Sequence, residues 1–186
     1  MNSVDELKKQ LHKAAALRDP VDRISRIAWV IAQALQTVGQ DPILVGGAAV
    51  EFYTKGGYST CDIDMIAPGG PELAQVMAQL GLQQIGKDYI DKQYNIYIEF
   101  PSSELGPNEK FTQLKIDGGS FRIISIEDLI VDRLCSFKFW KSAVDGVNAL
   151  LLAEMVDHNE VRLRERAKEE HVLDAWEVIL QVREEV

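Results

Sequence analysis

The chain has 186 residues, with 20 lysines and arginines against 29 aspartates and glutamates, giving a formal net charge of −9. Hydrophobic residues make up 46% and charged residues 26%, the balance of a folded chain of one-domain size and not of a disordered one. Such an acidic total argues against a broad basic face for binding DNA or RNA regardless of sequence. It leaves room for a local phosphate site and would attract a cationic small substrate.

Residues 5–17 predict a short amphipathic helix. A second, stronger helix starts at Asp19-Pro20, an N-cap followed by proline at the first helical position, with Asp22 in the first turn. Ile24, Ile27, Val30, Ile31, Ala34, Leu35 and Val38 recur at helical spacing, and Gly39 closes the run. From 41 to 125 short β-like runs alternate with helical pieces. Strands are expected at 43–45, 61–66, near 82–85, at 94–100, and in a hairpin of 111–116 and 121–125 around Asp117-Gly118-Gly119. Helices are expected after Gly47 and over 71–80. The stretch 126–186 has no proline and reads as about four helices, with Ser125/Asp128 and Ser142/Asp145 as capping pairs. The expected architecture is therefore an α/β core (41–125), preceded by packing helices (1–40) and followed by a helical region (126–186).

Cys61 and Cys135 have no zinc spacing, and His12, His158 and His171 form no ligand cluster. No apolar run approaches the ~20 residues that span a bilayer, and the first residues lack an apolar signal core. A cytoplasmic protein with reduced thiols is expected.

The most informative stretch is Ile43-Leu44-Val45-Gly46-Gly47-Ala48-Ala49-Val50, followed by Asp62-Ile63-Asp64-Met65. It reads as a buried strand running through a Gly-Gly turn into a helix, whose first amides would face an anion such as phosphate. On the next strand the side chains alternate. Cys61, Ile63 and Met65 are expected to face the core, and Asp62 and Asp64 the other side. Two carboxylates on one face repel each other unless a cation lies between them, and oxygen ligands with room for water and phosphate suit Mg²⁺. In Tyr94-Asn95-Ile96-Tyr97-Ile98-Glu99-Phe100, Glu99 lies opposite the apolar face. It would join the two aspartates if its strand lies beside theirs.

The Gly46-Gly47 turn, the Asp62-Ile63-Asp64 strand and a later Glu99 resemble the nucleotidyltransferase superfamily related to DNA polymerase β. Ser59-Thr60 before the Asp-Ile-Asp is similar to abortive-infection and toxin-type members, and the spacing also resembles small antibiotic nucleotidyltransferases. The resemblance spans about residues 41–145. It implies a mixed sheet flanked by helices, a triphosphate held by Gly46, Gly47 and Ser59 or Thr60, and Mg²⁺ held by Asp62, Asp64 and Glu99. The activity implied is transfer of a nucleoside monophosphate from an NTP such as ATP to a hydroxyl of tRNA, protein or a small molecule. A partner protein of toxin–antitoxin kind is also implied.

Downstream, Ile126, Leu129, Ile130, Leu134, Phe137 and Trp140 form an apolar helical stripe with Arg133 at its centre, Lys141 inside it and Lys138 at its margin. A buried cation needs a partner. The carboxylate site or a bound triphosphate would supply one for Arg133, and so would a purely structural carboxylate. The resemblance also implies a basic residue on a helix after the sheet and an aspartate on the next helix. Arg133 or Lys141, with Asp145, match, although Asp145 is equally a capping residue.

Arg162, Arg164, Arg166 and Lys168 alternate with Glu165, Glu169 and Glu170 and read as a solvated helix face, and Trp29, Trp140 and Trp176 as core. The competing reading is a catalytically silent nucleotidyltransferase-like domain that binds a nucleotide or a partner. An Asp-x-Asp glycosyltransferase fits poorly, because the chain is short and the Gly-Gly turn would go unused.

Overall fold

Short polar side chains set where most of the helices begin. In the computed structural model, which describes residues 3–116 and 118–185, α1 (Val4–Ala15) is capped by Ser3 and α2 (Pro20–Gln36) by Asp19. Each cap accepts a hydrogen bond from a first-turn backbone N–H. The chain then forms β1 (Ile43–Val45), α3 (Gly46–Tyr53), β2 (Ile63–Ile66) and α4 (Pro71–Gln79). Next come β3 (Gln83–Ile85), β4 (Asp88–Asp91), β5 (Ile96–Glu99), β6 (Phe111–Ile116) and β7 (Gly119–Ile124). Four helices finish it: α5 (Ile126–Trp140), α6 (Ala143–Met155), α7 (Glu160–Glu169) and α8 (Leu173–Glu185). Ser125, Ser142 and Asn159 cap α5, α6 and α7 in the same way. Asp117, expected in the hairpin turn, lies outside the described residues.

The seven strands form one mixed sheet in the order β3-β4-β5-β2-β1-β7-β6. β1 runs antiparallel to β2 and parallel to β7, while β2 is parallel to β5. Alternation sends Leu44, Ile63, Met65, Ile96, Ile98, Phe121 and Ile123 to one buried face, where they share a core with Ile27, Ile31 and Leu35 of α2. Each such side chain contributes roughly 1.5–3 kcal/mol by leaving water. The opposite face carries Asp64, Tyr97 and Glu99, each only partly buried.

The sequence pattern missed β4, whose Asp88-Tyr89-Ile90-Asp91 lacks apolar alternation; it is a strand because it pairs with both β3 and β5. The strands expected from 61 and 94 start two residues later, at Ile63 and Ile96. Cys61 is therefore exposed, contrary to expectation, because the pleat that would have turned it inward has not yet begun. Trp140 is 82% exposed, since α5 ends there and Lys141 turns the chain in the left-handed region with φ 58°.

The basic run on α7 is only in part a solvated face: Glu165, Lys168, Glu169 and Glu170 are exposed, but Arg166 is buried and Arg162 is partly covered. Asp128 on α5 is 1% exposed and accepts hydrogen bonds from the Ser125 hydroxyl (2.7 Å), the Lys110 backbone N–H (2.8 Å) and Arg166 Nε (2.9 Å). Arg162 also donates to it. One carboxylate thus joins α5, α7 and the segment before β6. Burial works against the charge of Arg166, but hydrogen bonds to Asp128, Glu169 and Glu170 outweigh it and hold its pKa above the ordinary guanidinium value. Removing one partner of such a buried pair leaves the other uncompensated. Asp128→Ala is expected to lower unfolding free energy by about 3–5 kcal/mol, and Asp128→Asn by less, as read from the denaturant midpoint.

Candidate active site

The site begins at the turn between β1 and α3. Gly46 has φ 61°, a left-handed conformation that side chains disfavour. A Cβ built there would lie 2.1 Å from Asp64 Oδ2. Glycine is thus required twice, by the backbone angle and by the carboxylate packed against it. At Gly47 an added Cβ would come 3.3 Å from Thr60 and Tyr58, so the turn also packs on the loop before β2. Glu51, on α3 and 2% exposed, holds that loop by accepting a hydrogen bond from the Thr60 backbone N–H at 2.8 Å. The Thr60 hydroxyl in turn accepts from the Asp62 backbone N–H. The N-cap residue of α3, Val45, has no side chain that can cap it, and the Gly47 amide in its first turn donates instead to Asp64.

Sheet register places the carboxylates. Asp64 stands opposite Glu99 across the parallel β2–β5 pair, and Glu99 stands opposite Asp88 across the antiparallel β5–β4 pair. Asp62 lines one small depression with Asp88, Tyr97 and Glu99. Burial raises the Asp64 pKa above the usual carboxylate range. The Glu99 charge adds to that, a hydrogen bond from the Gly47 backbone N–H opposes it, and Asp62 raises it further. Lys87, in the turn before β4, ion-pairs with Glu99; this hydrogen bond and the Glu99 charge raise the Lys87 pKa. Asp88 Oδ1 is buried without a hydrogen-bond partner.

On the other side of Asp64 a cavity of about 300 Å³ is lined by Val45, Gly46, Asp64, Pro101, Glu109, Asp132 and Arg133, among others. Arg133 is largely buried. Its Nη1 donates to Asp145 Oδ1 at 2.7 Å and its Nε to Asp132 Oδ2 at 3.1 Å. Burial alone would lower the Arg133 pKa, but these two carboxylates outweigh it and raise it. The Asp145 backbone N–H donates to the hydroxyl of Ser142, the cap of α6, so its backbone and its side chain do separate work.

The structure therefore brings Gly46, Gly47, Thr60, Asp64, Glu99 and Arg133 around one end of the sheet, with Asp62 beside Glu99 and Asp145 behind Arg133. Ser59 is exposed on the preceding loop. Lys141 is not inside the α5 stripe; as the C-cap it lines a different cavity with Phe137, Lys138 and Asp174. Lys87, Asp88, Glu51, Glu109 and Asp132 escaped the sequence reading. Asp132 adjoins Arg133 in sequence, and that adjacency was the one signal available.

Residues 24–181 match the family described as nucleotidyltransferase of unknown function (DUF6036), and the chain belongs to it. An antigenic nucleotidyltransferase-like protein from Paracoccidioides brasiliensis is similar in structure, with a TM-score of 0.62 and 16% sequence identity over 95% of this chain and 90% of that one. The antibiotic-resistance factor ANT(2'')-Ia aligns over 83% of this chain and 91% of its own, with 15% identity and a TM-score of 0.48. No curated protein matches in sequence.

Two outcomes follow from this packing. Gly46→Ala is expected to cost roughly 2–4 kcal/mol, combining left-handed strain with displacement of Asp64, as read by chemical unfolding. A carboxylate whose pKa is raised by folding binds its proton more tightly when folded, so it lowers stability as pH rises from the unfolded value through the folded one. Asp64→Asn is therefore expected to melt at a higher temperature than the parent at pH 7. That difference should shrink to nothing below the ordinary carboxylate range.

Proposed function

We propose that the protein is a Mg²⁺-dependent nucleotidyltransferase that moves a nucleoside monophosphate from an NTP to an acceptor hydroxyl. The observation that carries this reading is the register of Asp64 against Glu99 at the N-terminus of α3, where the Gly47 amide already faces the Asp64 carboxylate. The donor chemistry fits the ion: hard carboxylate oxygens from Asp62, Asp64 and Glu99, two of them mutually repelling, with space on the open face for water and phosphate. Among the described residues no three acidic, histidine or cysteine side chains converge tightly enough to hold an ion as they stand. Glu99 is held by Lys87, so side-chain adjustment accompanies loading.

When bound, Mg²⁺ would neutralise charge on the phosphates and the reacting oxygens. The remaining work belongs to the chain. Gly46 and Gly47 let the backbone approach the triphosphate, and the first amides of α3 point at it. Ser59 and Thr60 offer hydroxyls from the adjoining loop. Arg133 borders the cavity as a cation already steadied by Asp132 and Asp145, able to face a phosphate without reorienting. Glu99 lies where an incoming hydroxyl could give up its proton. Lys141 lies outside this arrangement and has no part in the reading. The cavity that Arg133 borders carries Asp64, Glu109 and Asp132 against one arginine, and the chain as a whole is at −9. A protein or small-molecule hydroxyl is therefore favoured over tRNA, and a partner protein of toxin–antitoxin kind is compatible with it.

The test is to incubate the protein with each α-labelled NTP, Mg²⁺ and cell extract and to find which molecule carries the label. Asp62→Ala and Asp64→Asn are expected to reduce incorporation by more than the roughly 10- to 100-fold that loss of a supporting residue costs. Incorporation that is unchanged in both variants would overturn the reading in favour of a silent, nucleotide-binding domain.

A further inference from the structure

Lys87 is the residue at this site that the proposed chemistry leaves unexplained. It follows Gly86, whose φ is 65°, in the tight turn joining β3 to β4, and its side chain is 73% exposed. Its ammonium group nevertheless ion-pairs with Glu99. The register makes the location specific: Asp88, Glu99 and Asp64 stand side by side on three neighbouring strands, so the ammonium faces a row of carboxylates. Asp88 and Asp64 both act on Lys87 through their charge. The row attracts positive charge, and the chain supplies one of its own.

We propose that Lys87 is an internal counter-ion, which occupies Glu99 in the nucleotide-free protein and which a divalent cation must displace to enter. This rests on the metal-bearing reading above. An ammonium has three donors and no lone pair, so it cannot share a ligand sphere with a metal; it competes for the same oxygens and repels the incoming charge. Displacement is inexpensive, because an exposed ion pair on a flexible stem contributes little to stability. Without nucleotide the cation gains little by entering. With a triphosphate present, the released ammonium faces a polyanion, and the added negative charge offsets the repulsion. Lys87 thereby couples metal entry to nucleotide entry.

The experiment is titration of nucleotide-free protein with Mn²⁺, read by electron paramagnetic resonance or calorimetry, for the parent, Lys87→Ala, Lys87→Arg and Asp64→Asn, with folding checked by circular dichroism. Lys87→Ala is expected to bind Mn²⁺ roughly two- to fivefold more tightly than the parent, and Lys87→Arg no more tightly, since it keeps the charge. If Lys87→Ala leaves affinity unchanged or weakens it while Asp64→Asn still weakens it, the site holds metal and Lys87 is not its counter-ion. If Asp64→Asn has no effect on Mn²⁺ binding, the metal-bearing reading and the counter-ion fall together.

Discussion

Two carboxylates set opposite each other on adjacent strands are a standing electrostatic cost, and the architecture around Asp64 and Glu99 is a set of answers to it. The Gly46-Gly47 turn brings the Gly47 backbone N–H to Asp64, Lys87 reaches Glu99 from the neighbouring hairpin, and Asp64 itself holds its proton more tightly than a free carboxylate would. The repulsion is left partly unresolved. On the metal-bearing reading proposed above, that unresolved repulsion is what an incoming cation would relieve.

Position is controlled from further away. Gly46 leaves no room for Asp64 to shift toward the turn, and Glu51 fixes the loop from beneath. Behind the adjoining cavity, Arg133 is braced on both sides by Asp132 and Asp145, so α5 and α6 jointly set where its charge lies. Asp128 does the same on a larger scale by tying α5 to α7 and to the segment before β6. Rigid support of this kind would serve the proposed chemistry by orientation, holding groups in place before a substrate arrives.

Much of this was legible in the sequence wherever the governing physics is local. Asp19-Pro20, Ser125 and Ser142 are capping chemistry written within four residues, and each helix starts where they indicate. Alternation put Asp64 and Glu99 on polar faces, but only the β2–β5 pairing made them neighbours, and pairing is a long-range choice. Lys87 and Asp88 had no local signal because β4 exists only through its partners. Arg166 and Trp140 erred in opposite directions for one reason: helical periodicity tells which residues share a face, and tertiary packing decides whether that face is covered.

The central strand β1 has a further consequence for how the molecule is made. It pairs with β2, which follows closely, and on its other edge with β7, more than seventy residues later. During synthesis that second edge, with Leu44 at its middle, stays bare until the hairpin of β6 and β7 has emerged. A half-built sheet with an open apolar edge invites pairing with another chain. The length of that interval, set by the segment between β2 and β6, makes the order of synthesis a hazard for the same strand that aims the Gly-Gly turn.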